Sequence, residues 1–130
     1  MYEILIPVDQ DTELANHQAE YVASLPGADE VKATVLYVTP REESTGGERS
    51  FDDVDAAVQA ARKLEEAGIP VTRAIDVGTV TQKIVEYADD VDAGEIVLGG
   101  RKRSGVAKVL VGSVAQDVIY STDRPVVITG

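Results

Sequence analysis

Cysteine is absent from the 130 residues, which excludes disulfides, thiolate metal sites, iron–sulfur clusters and thiol nucleophiles. Histidine occurs once, as His17, so a multi-histidine metal site is excluded and a serine–histidine triad is disfavoured. Long apolar runs are missing too. Hydrophobic residues make up 44% but come a few at a time, so no segment reads as a membrane span. The opening Met1-Tyr2-Glu3-Ile4-Leu5-Ile6-Pro7 lacks a basic flank and a long apolar stretch, and is not expected to act as a signal peptide. The expectation is a soluble, cytoplasmic chain forming one domain over residues 1–130, because domains cluster near ~100–150 residues.

Positive charge is scarce. Twelve Lys plus Arg face 23 Asp plus Glu, for a net charge of −11. A surface so negative repels nucleic acid and anionic lipid, so neither is expected as a partner. The acids are scattered, not blocked. That pattern suits a halophilic surface, where acidic side chains hold water and salt screens their repulsion.

What is present alternates between two patterns. Ile4-Leu5-Ile6-Pro7-Val8, Val31–Val38, Val71–Val77, Glu95–Leu98 and Pro125–Thr129 read as buried strands. Between them lie four helical patterns. Asp11 or Thr12 is expected to cap the first, with Leu14, Tyr21, Val22 and Leu25 near one face and Pro26-Gly27 as its stop. Ser50 with Asp53 predicts a capping box opening the second, which carries Val54, Val58, Ala61 and Leu64 to Ala67. Thr79 with Gln82 predicts another box for the third, and Gly112-Ser113 opens the fourth. Five strands alternating with four helices predict a parallel sheet covered on both faces, α/β and doubly wound. Ligands in such sheets sit beyond the carboxyl ends of the strands where the strand order reverses.

Residues 99–113 differ in composition from the rest. Arg101, Lys102, Arg103 and Lys108 supply four of the twelve basic residues, and the window holds no acid. Glycines let backbone N–H groups approach a ligand, and a helix N-terminus adds unpaired N–H groups with a positive dipole. The combination describes an anion site for a phosphate. The plainer reading is a solvated loop with Ser113 capping its helix. His17 reads as a surface histidine. Asp52, Asp53 and Asp55 read as acids suited to a helix N-terminus, not as a metal cluster. No nucleophile has a base in evident reach, so a regulator is expected more than a catalyst.

These residues resemble the universal stress protein family over essentially the whole chain. Gly99, Lys102 and, after nine further residues, Gly112-Ser113 are similar to the Gly-x-x-Gly, nine residues, Gly-Ser/Thr motif of its nucleotide-binding members, with Lys102 in place of the second glycine. Arg103-Ser104-Gly105 is similar to the middle of that motif. Ile6-Pro7-Val8-Asp9 resembles the family's Pro-Val-Asp after strand one, and Arg124–Ile128 its last strand. The resemblance implies the strand order 3-2-1-4-5 and an ATP or AMP ligand, with Mg2+ accompanying the nucleotide where it is used. It implies that Asp9 and Val38 meet the adenosine, that Pro7 and Val8 belong to the same nucleotide site, and that Leu98 and Gly99 line the nucleotide. Gly112, Ser113 and Val114 would hold phosphates through N–H groups and a hydroxyl, with Arg101, Lys102 and Arg103 beside them. It further implies a homodimer through Val126–Ile128.

Lys102 leaves two outcomes open. Its ammonium pairs with phosphate, or its stem fills the pocket and a smaller anion is preferred. Two other functions fit the same residues: a nucleotide-free dimeric interaction module, and a slow Mg-dependent ATPase with its ion near Asp9.

Overall fold

The computed structural model describes residues 1–43, 49–102 and 109–130, with only the backbone at 101–102 and 109–110. Strand and helix alternate as the apolar pattern predicts. β1 (Tyr2–Val8), α1 (Thr12–Ala23), β2 (Val31–Pro40), α2 (Asp55–Glu66), β3 (Val71–Gly78), α3 (Val80–Asp90) and β4 (Glu95–Gly99) come first. Two short strands follow, β5 (Arg101–Lys102) and β6 (Val109–Leu110), then α4 (Ser113–Ser121) and β7 (Val126–Thr129). The five longer strands form one parallel sheet in the order β3-β2-β1-β4-β7, the 3-2-1-4-5 arrangement expected.

Side-chain alternation along β1 and β2 sorts the core into two layers. Ile4, Ile6, Val35 and Tyr37 face α1 and α2, whose Ala15, Ala19, Ala57, Ala60, Ala61 and Leu64 let the two helices approach closely. Leu5, Leu36 and Val38 face the other way, against Ile84 and Ala88 of α3 and Ala115 and Val118 of α4. Among the described residues, no helix is long and apolar enough to cross a membrane.

Pro7 determines where the sheet opens. In a strand, N–H and C=O of one residue point to one side and those of the next to the other. The Glu3 carbonyl accepts the Gly94 N–H at 2.8 Å, so Glu3, Leu5 and Pro7 turn their backbone groups toward β4. The Ile96 N–H donates to the Pro125 carbonyl at 2.9 Å, which turns Val97 toward β1. In that register the Val97 carbonyl needs an N–H from position 7, and proline has none. The β1–β4 pairing covers only Ile4–Glu95 and Leu5–Ile96, while β1 stays paired with β2 as far as Val8–Tyr37. A crevice follows between strands one and four.

Several local expectations need correction. The Ser50–Asp53 pair exists, with the Ser50 N–H and hydroxyl both donating to Asp53 Oδ2, but it closes a 3-10 turn over Phe51–Asp53. Burial of the Phe51 ring holds that turn against the core, and α2 starts only at Asp55 after the extended Val54. Thr79 makes no side-chain cap; the Gln82 amide reaches forward to Glu86 at 3.3 Å instead of back to the helix start. β2 runs to Pro40, paired with Gly78, so Val38 lies inside the strand and does not close it. The connection after β4, expected as a loop, begins and ends in a short antiparallel ladder, Arg101 opposite Leu110 and Lys102 opposite Val109. The first helix behaves as expected: Asp11 is its N-cap, accepting the Leu14 N–H at 3.1 Å.

Candidate functional site

The ends of β1 and β4 bound a hollow of about 100 Å³ lined by Pro7, Val8, Asp9, Leu14, Gln18, Leu98, Gly99 and Ala115. Five of the sequence-predicted residues therefore meet in one place: Pro7, Val8, Asp9, Leu98 and Gly99. Gln18 was not predicted, and it organises the hollow. It is 2% exposed, and its Nε2 donates to the Pro7 carbonyl at 2.6 Å and to the Val97 carbonyl at 2.9 Å. The side-chain amide thus supplies what the proline cannot. The signal was available, since Gln18 sits four residues after Leu14 on the apolar stripe of α1, where a buried polar group needs partners.

Val8 and Asp9 also line a second hollow of about 320 Å³, with Gln10, Asp11, Tyr37, Val38, Pro40, Glu43 and Val80. Val38 and Asp9 thus line one hollow. Asp9 is exposed, and its Oδ1 accepts the Asp11 N–H at 2.8 Å, which fixes the turn leaving β1. The Tyr37 hydroxyl accepts from Gln10 Nε2 at 2.9 Å and from Arg49 Nη1 at 3.1 Å, with the Arg49 guanidinium 5.9 Å from the ring centre. Among the described residues, the ionised side chains lining the two hollows are Asp9, Asp11 and Glu43, whose field favours hydrogen-bond donors and disfavours anions.

Donor groups gather instead at the neighbouring helix end. Gly112 is the N-cap of α4 and Ser113 the first helical residue, so Ser113 is not the cap that the plainer reading assumed. Gly112, Ser113 and Val114 are exposed, and the first turn carries no acid. Its leading N–H groups lack intrahelical acceptors and carry the positive end of the helix dipole. Ala115, one residue beyond, lines the small hollow. Gly112, Ser113 and Val114 themselves line neither hollow; they stand at its edge. Arg101 and Lys102 begin on β5, which follows Gly99 by one residue, and Arg103 lies outside the described residues.

The Universal stress protein family matches this chain over residues 1–130. The chain belongs to that family. A universal stress protein of Methanocaldococcus jannaschii is 31% identical over 67 residues, covering 52% of this chain and 41% of that protein. The matched region thus spans less than half the length of that relative. Among solved structures, a universal stress protein from Archaeoglobus fulgidus aligns with TM-score 0.76 at 29% identity, covering 100% of this chain and 99% of the other. A universal stress protein from the same organism in complex with dAMP aligns with TM-score 0.73 at 26% identity, covering 100% and 98%.

A further cavity of this universal stress protein lies elsewhere. It measures about 610 Å³ and runs between α1 and β7, lined by His17, Glu20, Tyr21, Ser24 and residues 127–130. His17, predicted as a surface residue, is half-buried, and among the described residues its Nδ1 has no hydrogen-bond partner. It turns inward because the α1 position it occupies faces the sheet edge as well as solvent. Among the described residues, no group of three or more His, Asp or Glu is placed to hold a metal ion.

Proposed function

We propose that this protein binds an adenine nucleotide, AMP or ATP, and acts as a stress-response regulator. Base and ribose would occupy the two hollows that share Val8 and Asp9. The phosphates would lie at the α4 N-terminus, against the N–H groups of Gly112, Ser113 and Val114 and the charges of Arg101, Lys102 and Arg103. One observation carries the reading: two acceptor-lined hollows share Val8 and Asp9, the smaller reaches Ala115 in the first turn of α4, and the sequence leading into that helix is rich in cations. A ligand matching that polarity has donors at one end and anionic oxygens at the other, as a nucleotide does. The larger hollow alone reaches the ~300 Å³ at which small-molecule sites begin. The A. fulgidus relative bound to dAMP supports the same ligand class.

Calorimetric titration with AMP, ATP and pyrophosphate at high salt tests it. Saturable binding of AMP and ATP is expected, and no binding of either overturns the reading. Ser113→Ala combined with Lys102→Glu should abolish binding without lowering the thermal midpoint. Phosphate release followed in the same samples, with and without Mg2+, separates a binding protein from a slow ATPase.

A homodimer through β7 accompanies this reading. β7 pairs with β4 on one side, and among the described residues nothing pairs with its other edge, beside which the 610 Å³ groove runs. An apolar edge of Val126, Val127 and Ile128 left bare invites aggregation, and a two-fold copy removes the hazard. Light scattering at micromolar concentration is expected to give twice the chain mass; the monomer mass overturns it.

A further inference from the structure

We infer that Gln18 is a specificity-determining residue of the crevice: its carbonyl oxygen accepts a hydrogen bond from a hydroxyl or amino group of the ligand. The inference rests on the nucleotide reading above and names the chemistry that one part of that ligand must offer. An amide side chain has two donor hydrogens on nitrogen and an acceptor on oxygen. Both bonds that Gln18 makes to the described residues leave from Nε2, to Pro7 and Val97, so the orientation of the amide is set. A nitrogen facing the split between the strands leaves the oxygen toward Gly99. A Cβ built on Gly99 would stand 3.2 Å from Gln18 Oε1, so the absence of a side chain at position 99 lets the carbonyl border the hollow.

The hollow then offers two acceptors, Gln18 Oε1 and the Asp9 carboxylate, and among the described residues no cation lines it. An anion would be repelled there, and an apolar group would leave a buried carbonyl unpaired, which costs more than the bond itself is worth. A donor satisfies the oxygen. At about 100 Å³ the space suits one edge of a ligand, such as a sugar hydroxyl or a ring amine, and not a whole nucleotide. This assignment also explains why a glutamine occupies the apolar stripe of α1. A lysine there could donate to both carbonyls, but it would carry no acceptor and would attract phosphate into the hollow.

The test measures dissociation constants for AMP, 2′-deoxy-AMP, 3′-deoxy-AMP and purine riboside monophosphate, which lacks the exocyclic amine. Wild-type protein and Gln18→Met are compared. With wild type, the analogue lacking the donor read by Gln18 should bind about tenfold more weakly than AMP. In Gln18→Met, which keeps the length of the side chain but offers no carbonyl, that same ratio should fall to near one while the other ratios stay unchanged. A purely structural glutamine would weaken every ligand by the same factor and leave all ratios intact, which overturns the inference. Should Gln18→Met not fold, a crystal structure of the wild type with AMP gives the second reading: a ligand donor within about 3.2 Å of Gln18 Oε1 supports the inference, and none there overturns it. If wild type binds AMP and all three analogues equally, Gln18 reads no donor and the inference alone fails. If wild type binds no nucleotide, the functional reading fails and the inference falls with it.

Discussion

The Tyr2 hydroxyl donates to Glu95 Oε1 at 3.1 Å, tying the start of β1 to the start of β4 at the end of the sheet away from the crevice. The Tyr21 hydroxyl reaches Oε2 of the same carboxylate at 3.2 Å. Desolvation, the hydrogen bonds to Glu95 and its negative charge raise both phenols above tyrosine's ordinary pKa. Tyr87 is raised as well, by desolvation first and by Asp76 next. Each group is held neutral more firmly in the folded chain than in the unfolded one. Its contribution is whole below about pH 10, the ordinary tyrosine value, and is lost as pH climbs through the raised folded pKa. Urea midpoints should therefore hold from neutral pH to about 9 and fall above 10. Tyr21→Phe should flatten that fall and cost roughly 1–3 kcal/mol at neutral pH, because one carboxylate oxygen loses its donor. An unchanged slope above pH 10 would contradict the assignment.

Gly99→Ala would bring a methyl to 3.2 Å from Gln18 Oε1 and 3.3 Å from Leu14 Cβ. Both neighbours are part of α1 and must yield. The expected loss is about 1–3 kcal/mol of stability from overpacking, with weakened nucleotide binding as the amide shifts away from Pro7 and Val97. Chemical denaturation and titration on the same variant measure the two effects separately. Wild-type behaviour in both would mean the crevice is looser than the contacts imply.

Leu64→Ala tests the α1–α2 layer. Leu64 is fully buried at the C-terminal end of α2, among alanines too small to fill the gap. A loss of about 2–5 kcal/mol is expected, read as a lower urea midpoint with little change in slope. A loss well under 1 kcal/mol would show that the layer collapses around the cavity.

Net charge sets the response to salt. At −11 the folded chain repels itself, and the screening length falls from about 10 Å at 0.1 M salt to about 3 Å at 1 M. The exposed Lys63–Glu20 and Lys32–Glu3 pairs weaken over the same range, but each contributes only about 0–1 kcal/mol. Relief of repulsion should win, so the thermal midpoint should rise between 0.1 and 1 M KCl. A midpoint that falls would mean that the ion pairs dominate.

Much of this was legible in the chain itself. Short continuous apolar runs mark the five long strands, and Asp11 or Thr12 ahead of Leu14 marks the start of α1, because those signals are local. Strand order was not local, and only the likeness to a known family supplied it. The Ser50–Asp53 box was real yet misplaced, since burial of Phe51, a tertiary demand, held the chain in a tight turn before α2 could begin. Thr39-Pro40 looks like a terminator and predicts a strand end at Val38; pairing with β3 carries the strand through both. Motif and position point to Asp9, Leu98 and Gly99, which line one hollow. Gln18 was passed over because its purpose depends on two carbonyls from strands far apart in sequence.

The missing hydrogen of Pro7 has a consequence for how this protein could be altered. Pro7→Val would return a donor opposite the Val97 carbonyl and allow the seam between β1 and β4 to zip further, displacing the Gln18 amide from its post. If the crevice takes the proposed nucleotide, such a chain would be sturdier and blind to it. Receptivity would then come from an unfinished sheet, and mending the sheet would silence it.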